Sequence, residues 1–247
     1  MKRLRYALFV AGGLGFAAAL LAAFLGLRPV GAYAGAYGEV LNAVAVGERH
    51  ATDVVSAVNF DYRGLDTLGE EFILFTSVLA VAAILRKQED EEEDEDEPKW
   101  QPRSAPESDA VRTLGAALLP VMLSFGLYMV SHGAVSPGGG FQGGVVLASA
   151  PLMVYLCATA DRFLRIAPPA LTRAGEAIGA AGYALIGCLG ILAGKKFLEN
   201  VLPLGTPGHA WSSGTIFFLN LTVGLAVAAG FTELLSVFVE EVLRRET

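Results

Sequence analysis

Five ionisable side chains stand out within or beside the long apolar runs of the sequence: Asp66, Glu70, Glu71, His132 and Glu233. An acid or an imidazole inside a helix that crosses lipid is costly, and by default it is a station for an ion or a proton. Around Glu70 the uninterrupted apolar run covers only Phe72 to Leu85, about 14 residues, which is roughly two turns short of a crossing. A spanning helix must therefore start near Thr67, and that places Glu70 and Glu71 about one turn inside the outer boundary. Thr67-Leu68-Gly69-Glu70 also reads as a capping box, with Asp66 adding a favourable charge at the helix dipole. Cap and ion station are compatible roles for Glu70, and both stay open. Glu71 points about 100° away around the helix and ranks below it. Glu233 falls near the inner end of the last apolar run, where an acid can reach water and a structural role leads; Glu176 reads the same way. His132 ends a helix, so it is first a hydrogen-bonded surface residue and second a proton relay.

Between two apolar runs lies Ser136-Pro137-Gly138-Gly139-Gly140-Phe141-Gln142-Gly143-Gly144. By letter pattern Gly138 to Gly143 satisfies the dinucleotide fingerprint, but a membrane helix precedes it and no βαβ unit follows, so nucleotide binding is rejected. The glycines and proline instead permit a tight turn, and Gly143 and Gly144 open the next helix to close approach. A re-entrant turn against a neighbouring subunit is the expected use. There is no CxxC, P-loop, HExxH or GxSxG pattern, and the three histidines are dispersed at positions 50, 132 and 209. No catalytic constellation can be assembled, and no cofactor or metal is expected in this chain. Cys157 and Cys188 sit in apolar runs at depths differing by about ten residues, roughly 15 Å, beyond disulfide reach. Both are read as small packing residues.

The elements that must hold these groups are membrane helices. The chain has 247 residues, 53% hydrophobic and 17% charged, with a mean hydropathy of +0.51, too apolar for an ordinary soluble domain. The fold class expected is an all-α integral membrane protein of about six spans, near Tyr6–Leu27, Thr67–Leu85, Val111–Ser131, Phe141–Ala160, Ala174–Gly194 and Gly214–Val239. The first is read as a retained helix rather than a signal peptide ending at Ala32-Tyr33-Ala34, because its apolar run is too long for a signal core. With the N-terminus in the cytoplasm, one face collects 13 of the 18 Lys and Arg residues, which places both termini on the inner side of the cell membrane. Glu89 to Glu97 is an unbroken acidic run followed by Pro98, Pro102 and Pro106. It reads as a solvated cytoplasmic linker, residues 89–109, between a two-helix module, residues 1–88, and a four-helix module, residues 110–247. The long connection from Arg28 to Asp66 should hold short helices over Tyr37–Val46 and Thr52–Phe60.

Those residues carry a resemblance. Gly115-Ala116-Ala117-Leu118-Leu119-Pro120, Gly126-Leu127-Tyr128, the Ser136 to Gly144 turn, Leu204 to Gly208 and Ser213-Gly214-Thr215 resemble the MnhB/MrpB family of Mrp-type sodium/proton antiporter subunits over about Val111 to Leu243. Arg49 to Glu70, and especially Asp61 to Glu70, is similar to the C-terminal end of the large A subunit of those complexes, whose equivalent piece is a separate small subunit in membrane-bound hydrogenases. The usual motif has Phe where this chain has Leu65, a mild change. The resemblance implies a non-enzymatic subunit working with large antiporter-like and small membrane subunits in the lipid bilayer. Na⁺ and H⁺ are the transported ions it implies; nucleic acid is not a partner. It also implies that Glu70 contributes to a shared ion path. A coupling subunit of a membrane-bound hydrogenase or related redox-driven complex is the second reading. If the acidic run is only a solvated linker, deleting Glu89 to Glu97 should leave assembly unchanged on blue-native gels; loss of the complex would contradict the linker role.

Overall fold

A computed structural model describes residues 2–27, 35–85 and 108–244. The acidic run, its prolines and Ala32-Tyr33-Ala34 lie outside the described residues. The helices are α1 (Lys2–Leu25), α2 (Ala36–Arg49), α3 (Val54–Ala57), α4 (Gly64–Ile84), α5 (Asp109–Ser131), α6 (Gly140–Cys157), α7 (Ala160–Ile166), α8 (Pro169–Leu192) and α9 (Thr215–Arg244), with a π-helical stretch, Val58–Tyr62, between α3 and α4. Six of them, α1, α4, α5, α6, α8 and α9, are long and apolar enough to cross a membrane. All six expected spans are present, and the two short helices expected before the second span appear as α2 and as α3 with its π continuation. The apolar run expected to reach Ala160 stops at Cys157, where Ala158 leaves helical geometry and Thr159 caps α7 through the Arg162 amide.

The start of α4 differs from the expectation. It begins at Gly64, three residues before Thr67, and Arg63 at its cap position makes no side-chain cap bond. The Thr67 hydroxyl donates instead to the carbonyl of Asn59 at 2.7 Å, so the Thr67–Glu70 capping box is not formed. The π-helical stretch explains the change: Phe60 packs on Tyr183, ring centroids 6.3 Å apart, and the Tyr183 hydroxyl donates to the Gly64 carbonyl at 2.8 Å. These tertiary bonds start the helix where a cap would otherwise be needed. Asp66 pairs with Arg63 at 2.5 Å on the exposed side.

The chain divides into two compact units, residues 1–40 and 41–247. Within the first, α1 is apolar and exposed from Tyr6 onward, after a basic start at Lys2, Arg3 and Arg5, which suits a helix surrounded by lipid or by partner helices. In the second, α9 is the central helix and packs against α8, α6, α4 and α5. Its inward stripe, including Ile216, Leu219, Val223 and Val227, is fully buried with Phe60, Ala57 and Tyr183. The stripe recurs every three or four residues, the period of one helix face.

Candidate functional site

Three helices of the second unit each bury one carboxyl: Glu71 on α4 is 1% exposed, Glu176 on α8 is 2% and Glu233 on α9 is 2%. Helix periodicity puts them there. Gly64, Glu71 and Val78 are spaced by seven residues, about two turns, and form one buried face of α4. On α8 the same interval separates Tyr183 from Glu176. Because α4 and α8 run in opposite directions and Tyr183 is tied to Gly64, equal steps of seven bring Glu71 and Glu176 to a similar height, about 10 Å from that tie. Glu176 Oε1 lies over Gly230 of α9, beside Val78, and Glu233 follows one turn further along α9. Glu71 and Glu176 are close enough to interact electrostatically, and so are Glu176 and Glu233.

Their hydrogen bonding is uneven. Neither oxygen of Glu71 has a hydrogen-bond partner among the described residues, and neither has Oε1 of Glu176. Glu233 is held by the Thr172 hydroxyl and by Arg173 Nε at 2.7 Å. The Arg173 side chain is largely exposed, so the Glu233 end of the row reaches the solvent boundary at the start of α8. Beyond Glu71 the polar groups continue with the Tyr183 hydroxyl, which lies within hydrogen-bonding reach of Thr67. An unpartnered buried carboxyl is paid for in stability, and its usual return is binding a proton or a cation.

Before α4, the largely buried Asp61 accepts from Arg49 Nε at 2.7 Å, and the Asn200 side chain lies within reach of its carboxyl. Burial pushes its carboxyl above the ordinary 3.8, the largest effect, and the Arg49 charge opposes this. A raised folded-state value stabilises the fold below the unfolded pKa, and that contribution is lost as pH rises through the folded value. Asp61→Asn should therefore flatten the thermal-stability profile just above pH 3.8. An unchanged profile would show that burial does not dominate there.

The glycine turn packs on α9 of this same chain. Gly138 and Gly139 have φ of 152° and 129°, a region other residues rarely adopt. The Gly140 amide donates to Asn220 Oδ1 at 2.9 Å, while Asn220 Nδ2 donates to the Ile216 carbonyl at 3.1 Å. Gly144 opens α6 to Val227. Ser136 approaches the His132 carbonyl at 3.5 Å, Pro137 and Gln142 are exposed, and Phe141 packs against the core. Asn220→Ala should lower the melting temperature, corresponding to about 1–3 kcal/mol, because it orphans a buried amide. Thermal unfolding of the purified protein checks this, and an unchanged melt would remove Asn220 as the anchor of the turn.

Among the residues singled out from sequence, Glu71 and Glu233 belong to the buried row. Glu70 is exposed, about 100° around α4 from Glu71, and Asp66 is a surface ion pair. His132 caps α5, stacks on Tyr128 with centroids 4.3 Å apart and bonds Ser131 at 3.1 Å. The order of Glu70 and Glu71 is thus reversed in burial. Glu176, Thr172, Arg173 and Tyr183 were not singled out as site residues; the available signal was an acid two turns into a span, at the same interval from the helix start as Glu71.

Six helices long and apolar enough to cross a membrane, with α9 packed among four of them, define a multi-pass membrane protein. A sequence model of the domain related to the MnhB subunit of Na⁺/H⁺ antiporters matches residues 110–233, and the chain belongs to that family. An uncharacterised protein of Methanocaldococcus jannaschii is 30% identical over 197 residues, covering 72% of this chain and 73% of that one. A Staphylococcus aureus chain named as antiporter subunit mnhB2 is 33% identical over 107 residues, 42% of this chain and 75% of that one. Among solved structures, a chain of the membrane-bound sulfane sulfur reductase, an archaeal respiratory membrane complex, matches with TM-score 0.73 and 27% identity over 97% of this chain and 99% of that chain. The Mrp complex from Dietzia sp. DQ12-45-1b matches in fold, with TM-score 0.70 and 24% identity, over 96% of this chain and 26% of the longer polypeptide.

Proposed function

We propose that this chain is a subunit of a multisubunit monovalent-cation/proton antiporter, and that Glu71, Glu176 and Glu233 form its share of the ion path. The carrying observation is the row of three buried carboxyls on α4, α8 and α9, of which Glu71 has no hydrogen-bond partner among the described residues. Protonation or cation binding satisfies such a group. Glu233, through Arg173, is the end that exchanges with solvent; on the basic-residue count it faces the cytoplasm. Glu70, exposed on α4, contributes to the path only where a neighbouring subunit covers it. In this reading α4 supplies an acid to the helices of residues 110–247, so the ion path draws on both sides of the acidic linker.

The family is one of transporter subunits and gives no support for enzymatic chemistry within this chain. A second reading has its own observation: the sulfane sulfur reductase chain is matched over nearly its whole length. In that reading the same acids move ions while electron transfer in other subunits drives them. Purifying the tagged chain in mild detergent and identifying its companions separates the two. Large antiporter-like subunits without metal centres establish the antiporter; iron–sulfur or nickel subunits in the same particle establish the redox-driven pump. Recovery of the chain alone would overturn both.

A further inference from the structure

Apart from the acids, the second unit contains a cavity of about 370 Å³ between α5, α6 and α7. Its body is apolar, with Ala116, Leu119, Met153 and Val154, and it carries two guanidinium groups, those of Arg112 and Arg162. Arg112 stands at the start of α5 and Arg162 in α7, just beyond the end of α6. Both therefore sit at the level where spans end, with the apolar lining extending from them into the hydrocarbon region. Arg112 also holds Asp109 at 3.5 Å; a guanidinium carries five donors, so holding an exposed carboxylate does not prevent it from holding a phosphate.

From this charge distribution we propose that the cavity is a binding site for an anionic glycerophospholipid. Its headgroup phosphate lies between Arg112 and Arg162, and one acyl chain lies along Leu119, Met153 and Val154. The combination selects a lipid over a free anion, because an inorganic phosphate leaves the apolar volume unfilled. It selects an anionic lipid over a zwitterionic one, because two cations face a single headgroup and no carboxylate lines the cavity among the described residues. The site lies away from Glu71, Glu176 and Glu233, so it is independent of the proposed ion path.

The test uses the full chain in its purified complex, in delipidated detergent solution. Phosphatidylglycerol should raise the melting temperature, and phosphatidylcholine with the same acyl chains should not. R112Q/R162Q should abolish the difference, and A116F, which fills the apolar part while keeping both arginines, should weaken it. R165Q, an exposed arginine outside the cavity lining, should keep it. Native mass spectrometry should find the retained lipid in wild type and R165Q and not in the double variant. Equal shifts with both lipids, a shift reproduced by inorganic phosphate, or an undiminished difference in R112Q/R162Q would each overturn the proposal. So would a wild-type complex that retains no lipid while the double variant loses a partner subunit, since a protein would then fill the cavity.

Discussion

Membrane vesicles carrying Glu71→Gln should lose cation-driven proton exchange by at least about tenfold, equal to roughly 1.4 kcal/mol on the limiting barrier, with the complex intact on blue-native gels. The amide keeps the shape of the side chain and cannot carry a proton or balance a cation. Glu71→Met makes the same argument from the other side. The buried carboxyl has no hydrogen-bond partner among the described residues, and burial of such a group costs about 1–3 kcal/mol by mutational measures. Methionine at this position should therefore raise the melting temperature while exchange is lost, a trade of stability for function. A structural role for Glu71 makes the opposite demand, namely a lower melting temperature with exchange retained in proportion to surviving complex. Glu70→Gln serves as the comparison. If it abolishes exchange and Glu71→Gln does not, the path runs along the exposed side of α4 and not through the buried row.

The spans were legible because length and continuous hydrophobicity are local properties, and α5, α8 and α9 announce themselves by both. What sequence could not show was rotation. Glu70 and Glu71 are adjacent, and their burial depends on which face of α4 meets α8 and α9; that is settled by the Tyr183 bond to Gly64 and by the π-helical stretch before the helix. The capping-box pattern failed for the same reason, since Thr67 found a better acceptor in Asn59. Glu176 looked like an ordinary acid near a helix start. Only the antiparallel pairing of α4 and α8 brings it level with Glu71. The glycine turn was legible as a site of close packing, because runs of glycine have few other uses in a span; its partner, Asn220, lies some 80 positions away and carries no local mark.

That packing yields the second large effect. Gly143→Ala would place a Cβ 2.8 Å from the Val130 amide nitrogen and 2.9 Å from the Gly126 carbonyl oxygen, and Gly140→Ala would place one 2.6 Å from the Asn220 carbonyl oxygen. These are backbone atoms of helices α5 and α9, so no rotamer change relieves the clash; the helices must move apart, at a cost of about 3 kcal/mol or more. Each single substitution should leave little of the chain in the membrane, as read by immunoblot, and the surviving protein should melt well below wild type. Gly69→Ala is the control. It lies mid-helix on α4 with nothing within 4 Å, so alanine should be neutral or stabilise by up to about 1 kcal/mol. Wild-type accumulation and melting of Gly143→Ala would mean that α5 and α6 are held further apart than their glycines allow. Loss of the chain in Gly143→Ala, beside an intact complex in Glu71→Gln, separates the residues that hold the helices together from those that work between them.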